Sequence, residues 1–249
     1  MKQRLSALYC ISICFLLSSC SKQSEVLSLP LPSDYYPLAA GHVYLYRLDS
    51  SLIPLTGNDL DVHSYIARDS IADTIRDNEN RLAYRVYRFV TDTLQTEPWQ
   101  SVGTYYVTPV NHAIEVMDEN NLRFIKLKEP IRNDFSWNGN SYIDTKSAGS
   151  PYQYLDGWNY IYQNVGQTYT GTYQTFSNTI TVLQQDETSP PGAFDPNNYQ
   201  QRNYSVEVYA QGIGLVYKEF LHWTWQTTPP PSHYESDSYG IKLSLISYH

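Results

Sequence analysis

Cysteine is scarce in this sequence and is confined to its beginning. The three cysteines are Cys10, Cys14 and Cys20, and none follows in a chain of 249 residues. A disulfide framework needs paired cysteines, so it is excluded from everything after residue 20. With 41% hydrophobic residues, the chain is long enough to bury a core without such cross-links.

Positive charge is also in short supply. The chain has 17 Lys and Arg against 25 Asp and Glu, for a net charge of −8. Without residues 1–19, which hold Lys2, Arg4 and no acidic residue, 15 basic residues remain against the same 25 acidic ones. Nucleic-acid binders cluster Lys and Arg to neutralise phosphates, whereas the densest basic stretch here, 123–132, is interrupted by Glu129. We therefore exclude nucleic acid, and also electrostatic docking to anionic lipids.

Only one long apolar run is present, and it is too short to span a membrane. It covers the 13 residues from Leu5 to Leu17, whereas a spanning helix needs about 20. Lys2 and Arg4 precede it, and Leu17-Ser18-Ser19-Cys20 follows, which resembles the bacterial lipobox. We predict a lipoprotein signal peptide over residues 1–19 and lipidation of Cys20. The alternative is an ordinary secretory signal that releases a soluble product.

Lipidation would make Cys20 the first residue and only cysteine of the mature chain. Acyl chains such as palmitate contribute roughly 0.8 kcal/mol per buried methylene, so two or three of them would hold the protein on a membrane permanently. Residues 20–32 are polar and then proline-rich, which predicts a tether. No acidic run follows Cys20, so both faces of the bacterial outer membrane stay open, and the periplasmic face is favoured over the cell surface.

Helical periodicity is lacking after residue 32, whereas strand signals recur. The predicted strands are 42–48, 62–68, 82–91, 100–107, 113–117, 122–127, 158–165, 168–176, 179–185, 204–211, 214–226 and 239–248. Turns such as Asp118–Asn121 join them, since Asn tolerates a positive φ. We predict one all-β domain over residues 33–249, an antiparallel meander that forms either an open barrel or a β-sandwich.

Three segments resemble an uncharacterised family of Bacteroidota envelope lipoproteins. They are Tyr36–Gly41 (YPLAAG) with Tyr44 and Tyr46 after it, Ser136–Asn140 (SWNGN), and Tyr209–Tyr217 (YAQGIGLVY), which is similar to a Y-A-x-G-(V/I)-G-L-V strand entry. The resemblance implies a secreted β domain and carries over no catalytic residue. Separately, Gly212 and Gly214 around Ile213 predict a β-bulge or a close backbone approach.

The segment 135–162 combines aromatic side chains with amides and carboxylates. Flat aromatic faces beside polar groups are typical of sugar recognition, because the rings stack on the sugar while the polar groups bind its hydroxyls. The predicted ligand-binding residues are Trp137, Tyr142, Tyr152, Asp156 and Trp158. The alternative is that these aromatic residues fill the core, as we expect for Trp223 and Trp225. Exposure of Trp137 and Tyr142 would favour a ligand.

No residue pattern predicts catalysis, a metal or a cofactor. The six histidines show neither helical pairing nor zinc-site spacing. A glycoside hydrolase needs two carboxylates in one cleft, and Asp134, Asp144 and Asp156 are the acids near the aromatic segment. Acidic residues in loops are usually solvated, so we assign no catalytic residue and predict that the chain is not an enzyme.

Three short motifs resemble the Asp-Ser/Thr-aliphatic acceptor for O-glycosylation in Bacteroidota. They are Asp69-Ser70-Ile71, Asp73-Thr74-Ile75 and Asp92-Thr93-Leu94. The sequence therefore predicts Ser70, Thr74 and Thr93 as candidate glycosylation sites.

Together these patterns predict a lipid-anchored protein of the bacterial cell envelope. We expect a binding or accessory module, with glycan as its ligand. The alternative is a structural envelope protein that acts through a protein partner.

Overall fold

Strands dominate the computed structural model, which describes residues 29–53 and 59–249. Its helical elements are α1 (Pro32–Tyr35) and a 3₁₀ turn at Gln153–Leu155. The strands are β1 (Val43–Leu52), β2 (Asp61–Arg76), β3 (Leu82–Asp92), β4 (Gln100–Val110), β5 (Ala113–Met117), β6 (Arg123–Lys128), β7 (Ser136–Trp137), β8 (Tyr160–Thr170), β9 (Thr175–Ser189), β10 (Gln200–Ala210), β11 (Gly214–Gln226), β12 (His233–Tyr234) and β13 (Tyr239–Tyr248). The predicted signal peptide and Cys20 lie outside the described residues.

The strands form one antiparallel sheet that curls into a nearly closed barrel. Its order is β6-β5-β4-β3-β2-β1-β13-β11-β10-β9-β8-β7, with β12 paired to β11. The two outermost strands meet, because Ile125 N donates to Gly139 O at 2.8 Å and Trp137 Nε1 donates to Ile125 O at 2.8 Å. The Tyr162 hydroxyl also accepts from Lys128 N and donates to Lys128 O. The all-β prediction is confirmed, and of the two open architectures the chain adopts the barrel.

Alternation along the strands separates an inner from an outer face. Tyr46 on β1 lies opposite Ala67 on β2, and Ile71 lies opposite Val86 on β3. These four residues are buried, and three of them line a small internal cavity of about 20 Å³. The intervening residues point outward, so each of these strands has one dry and one partly wet face.

The N-terminal segment closes one end of the barrel, which we call the proximal end. Tyr35 of α1 is 2% exposed, and Gly212 N donates to Asp34 O at 2.7 Å. Gly212 and Gly214 have positive φ values of 74° and 112°, which glycine adopts without strain. The predicted close backbone approach is therefore present, and the predicted bulge follows in the β10–β11 register at Val208/Tyr209.

Strand positions agree with the sequence for most of the sheet, with one clear correction. The predicted strand 168–176 is wrong, because it spans the turn between β8 and β9, where Gly171 N donates to Gln174 O. Thr and Tyr on both sides of that turn continue the strand pattern and conceal it. The Asp118–Asn121 turn is confirmed, with Asn121 at φ 60°. Pro32, the last residue of the predicted tether, begins α1.

The barrel interior contains a buried ion pair that crosses from β6 to β10. Lys126 Nζ lies 2.8 Å from Glu207 Oε1, and the other carboxylate oxygen accepts hydrogen bonds from Gln184 and Tyr209. Burial raises the pKa of Glu207, but Lys126 and Lys218 outweigh that effect and hold it at about 2. Glu207 therefore stays ionised although it is only 2% exposed.

A second buried ion pair links β2 and β3. Arg88 contacts both carboxylate oxygens of Asp69, with Nε–Oδ1 at 2.7 Å and Nη2–Oδ2 at 2.5 Å. The Tyr105 hydroxyl donates to Asp69 Oδ2 at 2.9 Å. Buried charges are tolerated when they are paired and hydrogen-bonded in this way.

We predict that Glu207→Gln destabilises the barrel and weakens its acid dependence. Removing one member of a buried pair leaves Lys126 uncompensated, which costs about 3 kcal/mol in the free energy of unfolding at neutral pH. Because the folded-state pKa of Glu207 is depressed, its contribution is complete above the ordinary value of 4.5 and is lost as the pH falls toward about 2. Urea unfolding at pH 7, 5 and 2.5 measures both effects. The substitution of an exposed acid, Glu119→Gln, is the control. If the free energy of unfolding of Glu207→Gln fell with decreasing pH as steeply as that of the wild type, the proposed contribution of ionised Glu207 would be wrong.

Candidate functional site

Residues 138–158 cover the other end of the barrel, which we call the distal end. β10 ends against α1 at the proximal end, and antiparallel alternation through β9 and β8 puts the start of β8 at the distal end. β7 runs antiparallel to β8, so the segment between them caps that end. This segment contains most of the ligand-binding residues predicted from the sequence.

Trp137 and Trp158 do not present a ring face to solvent. They are 5% and 3% exposed. Both indole nitrogens are satisfied internally, since Trp137 Nε1 donates to Ile125 O and Trp158 Nε1 donates to Tyr154 O at 2.7 Å. Trp137 also packs on Tyr162, with ring centroids 4.6 Å apart. The prediction that these two tryptophans stack on a ligand is therefore wrong, because the rings form the core where the barrel closes.

The other predicted residues lie nearer the surface. Tyr142 is 54% exposed, with the guanidinium carbon of Arg123 4.2 Å from its ring centroid and its hydroxyl 3.3 Å from Glu115 Oε1. Tyr152 is half-buried against the core. Asp156 is exposed, and its Oδ1 accepts a hydrogen bond from the Thr145 hydroxyl at 2.8 Å. Of the five predicted residues, Asp156 alone lies in the groove described next.

A groove of about 420 Å³ opens within the distal segment. The residues that line it include the acidic Asp144 and Asp156, the basic Lys146, and the apolar Ile143 and Leu155. Leu155 is 3% exposed, so the floor of the groove belongs to the core. The arrangement offers hydrogen-bond donors and acceptors around a small apolar floor, which suits a polar small molecule.

Asp144 organises the loop that forms one side of the groove. Its Oδ1 accepts the backbone N–H groups of Lys146 and Ser147, and its carbonyl accepts from the Ser150 hydroxyl at 2.6 Å. Hydrogen bonds from the Ser147 side chain and from the two backbone groups lower the pKa of Asp144. A general acid at neutral pH needs a raised pKa, so Asp144 has the properties of a loop-organising residue rather than of a catalytic acid.

A buried histidine lies beneath the same segment. His222 is 1% exposed, and its ring stacks on Tyr154 with centroids 4.1 Å apart. Its Nδ1 lies 2.7 Å from Asn203 Oδ1, whereas its Nε2 is the one buried side-chain polar atom without a partner among the described residues. Burial lowers the pKa of His222, although Asp237 at 3.7 Å opposes the effect. His222 therefore supports the distal cap as a neutral ring.

The structure locates the three candidate O-glycosylation sites at different depths. Ser70 points outward from the middle of β2 and is half-buried, and Thr74 is exposed near the end of that strand. Thr93 is exposed in the β3–β4 turn at the distal end, where Asp92 accepts the backbone N–H groups of Leu94, Thr96 and Glu97. The hydroxyl group of Thr93 is therefore on a protruding turn.

Two further findings concern the described residues alone. Over 29–53 and 59–249, no cluster of three or more His, Cys, Asp or Glu could hold a metal ion. Within the same ranges, none of the helices has the length and apolar character needed to cross a bilayer.

Sequence reasoning missed several groove residues as well as the buried His222. Lys146, Thr145 and Ile143 carry no motif, and they line the groove only because Asp144 bends the loop. An Asp side chain commonly accepts the backbone N–H groups two and three residues after it. Asp144, followed by Lys146 and Ser147, is therefore the sequence signal that could have predicted this turn.

Comparison with known proteins adds little to this description. No family model matches the chain, and neither does any curated protein. A solved structure with some likeness is a crystal structure of a "putative lipoprotein" from Parabacteroides distasonis, which is 10% identical and has a TM-score of 0.40. The match covers 86% of this chain and 98% of that one. At this level the likeness carries no argument about function.

Proposed function

We propose that the protein is an acyl-anchored lipoprotein of the bacterial envelope whose barrel serves as a binding or accessory module for glycan. The observation that carries the anchor is the sequence Leu17-Ser18-Ser19-Cys20 directly after a 13-residue apolar run. Cys20 is the last cysteine of the chain, so acylation would leave no free thiol in the mature protein. The barrel carries the binding function, through the groove at its distal end.

The position of α1 supports an orientation of the barrel on the membrane. The helix begins at Pro32 on the proximal end, beside β5. Pro32 is twelve positions after Cys20, and a fully extended chain of that length reaches about 40 Å. Because the connection to Cys20 joins the barrel at its proximal end, we propose that this end faces the bilayer and that the groove faces away from it.

The chemistry of the groove supports a saccharide as the ligand. Sugar hydroxyl groups donate to carboxylates and accept from ammonium groups, and Asp156 and Lys146 provide both. Ile143 and Leu155 provide an apolar surface for the C–H groups of a ring. A volume of about 420 Å³ accommodates one or two sugar units.

A protein partner is the second candidate, and exposed apolar side chains favour it. Leu94 is 81% exposed, Val62 62% and Val102 52%, and all three lie near the distal ends of β2, β3 and β4. Exposed apolar residues at one end of a protein are typical of an interaction site. On this reading the module is structural and acts through another envelope protein.

We predict that Cys20→Ser abolishes membrane association. Serine cannot carry the thioether-linked lipid, so the barrel should move from the membrane pellet to the soluble envelope fraction. Fractionation after labelling with radioactive palmitate measures both attachment and position. Cys14→Ser, inside the predicted signal peptide, is the matched control and should behave like wild type. Continued labelling of Cys20→Ser would refute the anchor.

We predict that Asp156→Asn weakens glycan binding about tenfold, because a hydrogen bond to a charged group contributes about 1.5–3 kcal/mol. A glycan array compares wild type, Asp156→Asn and the control Asp134→Asn, which alters an exposed acid outside the groove. If wild type binds no glycan on the array, the glycan function is wrong and the protein-partner reading remains.

We also propose that Thr93 carries an O-linked glycan, since it is exposed and lies in a turn, whereas Ser70 and Thr74 lie within a paired strand. Intact-mass measurement of the protein from its native host should show additional hexose-sized increments, which disappear in Thr93→Val. Thr96→Val, three positions further along the same turn, is the control. A native mass equal to that of the unmodified lipoprotein would contradict the proposal.

A further inference from the structure

The outer wall of the barrel carries a continuous row of arginine and aromatic side chains on β2, β3 and the β4 approach. Arg85, Tyr87 and Phe89 alternate along β3, and Arg68 on β2 lies directly opposite Phe89. Trp99, in the connection before β4, lies against Arg68. We call these five residues the arginine–aromatic strip. All five are half-buried.

Short distances join the members of the strip. The guanidinium carbon of Arg68 lies 4.9 Å from the ring centroid of Phe89 and 4.5 Å from that of Trp99. The rings of Phe89 and Tyr87 are 6.4 Å apart, and Arg85 lies 5.5 Å from Tyr87. Stacking uses the faces of a guanidinium group and leaves its in-plane N–H donors available. Arg68 is therefore held in place by rings rather than by an acid.

Arg68 is the surplus cation of this wall. The register directs Arg47, Asp49, Asp73 and Arg85 to the same outer face. Arg47 pairs with Asp49 at 2.8 Å, and Arg85 pairs with Asp73. Within the described residues, no Asp or Glu carboxylate oxygen lies within 4.0 Å of a guanidinium nitrogen of Arg68. The local arrangement of this wall, rather than the net charge of the chain, therefore leaves the Arg68 guanidinium available to a carboxylate from a ligand.

We propose that the arginine–aromatic strip binds an acidic polysaccharide, with a uronic-acid carboxylate on Arg68 and neighbouring sugar rings on Phe89, Tyr87 and Trp99. A carboxylate accepts two parallel N–H bonds from a planar guanidinium group, which gives orientation as well as affinity. The guanidinium groups cover one side of each ring and the Tyr87 and Phe89 rings are inclined by 60°, so successive sugars of an extended chain would contact the remaining ring faces and edges.

The position of the strip in the sheet favours a saccharide over a peptide. β3 is paired on both sides, with β2 and with β4. A peptide cannot add to it as a further strand, because no backbone donors or acceptors are free there. A polysaccharide needs only side-chain contacts, and those are what the wall presents.

The strip is a different site from the distal groove. It lies on the outer wall, and none of its five residues lines the groove. The choice of a saccharide as the class of ligand rests on the proposed envelope function. The two sites are tested with different variants, so ligand binding at one site can be refuted without refuting it at the other.

Binding is measured with the full-length chain in detergent, by calorimetry and by tryptophan fluorescence, using an oligogalacturonate as the probe. A neutral malto-oligosaccharide of the same length and an oligoglutamate of the same charge are tested beside it. We expect the oligogalacturonate alone to bind, and Arg68→Met to weaken it about tenfold or more. Arg68→Lys keeps the charge but lacks the planar fork, so it restores only part of the affinity.

Two further variants separate the strip from general effects. Arg132→Met removes one exposed cation elsewhere and should change the affinity by no more than about twofold, as for exposed charges in general. Trp99→Leu should remove the fluorescence response, since Trp137, Trp158 and Trp225 are buried and the half-buried Trp223 lies on β11, outside the strip. This response in the wild-type protein also keeps the test valid if Arg68→Met is poorly folded.

Four results with the probes and the arginine variants would overturn the proposal. They are no binding of the oligogalacturonate to wild type, equal binding of the neutral oligosaccharide, equal binding of oligoglutamate, and equal losses in Arg132→Met and Arg68→Met. Asp156→Asn should leave the oligogalacturonate affinity unchanged. A loss confined to that variant would assign the ligand to the groove and overturn the wall site while supporting the groove.

Discussion

The ion pair between Lys126 and Glu207 crosses the barrel interior and forms only when the sheet is closed. Lys126 belongs to β6, the outermost strand at one end of the sheet order, whereas Glu207 belongs to β10, near the other end. Few backbone bonds join β6 to β7, so side chains must hold the two ends of the sheet together. A charge on one side of the interior needs its partner from the other side, and the pair is satisfied only when the barrel is closed.

The unusual tyrosine content follows from the same constraint. An interior that contains ionised groups needs hydroxyl donors as well as apolar surface, and tyrosine provides both. Tyr209 donates to Glu207 and Tyr105 donates to Asp69, while Tyr162 bonds to the backbone of β6 where the barrel closes. Phenylalanine at these positions would fill the same space and leave buried acceptors unsatisfied. The 24 tyrosines against 7 phenylalanines thus reflect a polar interior.

Strand identity was largely predictable from the sequence, whereas the site was not. The strands 113–117, 214–226 and 239–248 agree with the structure, because alternation and flanking turn residues coincide there. Trp137 and Trp158 were predicted as ligand residues because an amphipathic ring beside Asn and Asp has the same local pattern whether it is exposed or buried. Burial depends on the meeting of β6 with β7, a contact between strands that alternation along one strand does not encode.

The two adjacent residues Arg68 and Asp69 illustrate this limit most clearly. Alternation sends them to opposite faces of β2, and the register with β3 gives each a partner of different chemistry: Arg88 for Asp69 and Phe89 for Arg68. Slipping β2 by one residue would turn Asp69 to the outer face and leave Arg88 inside the barrel without its carboxylate. The buried pair therefore selects the register, and the selected register leaves Arg68 outside with two rings and no acid. Stability of the interior and the surplus charge of the outer wall are consequences of one alignment.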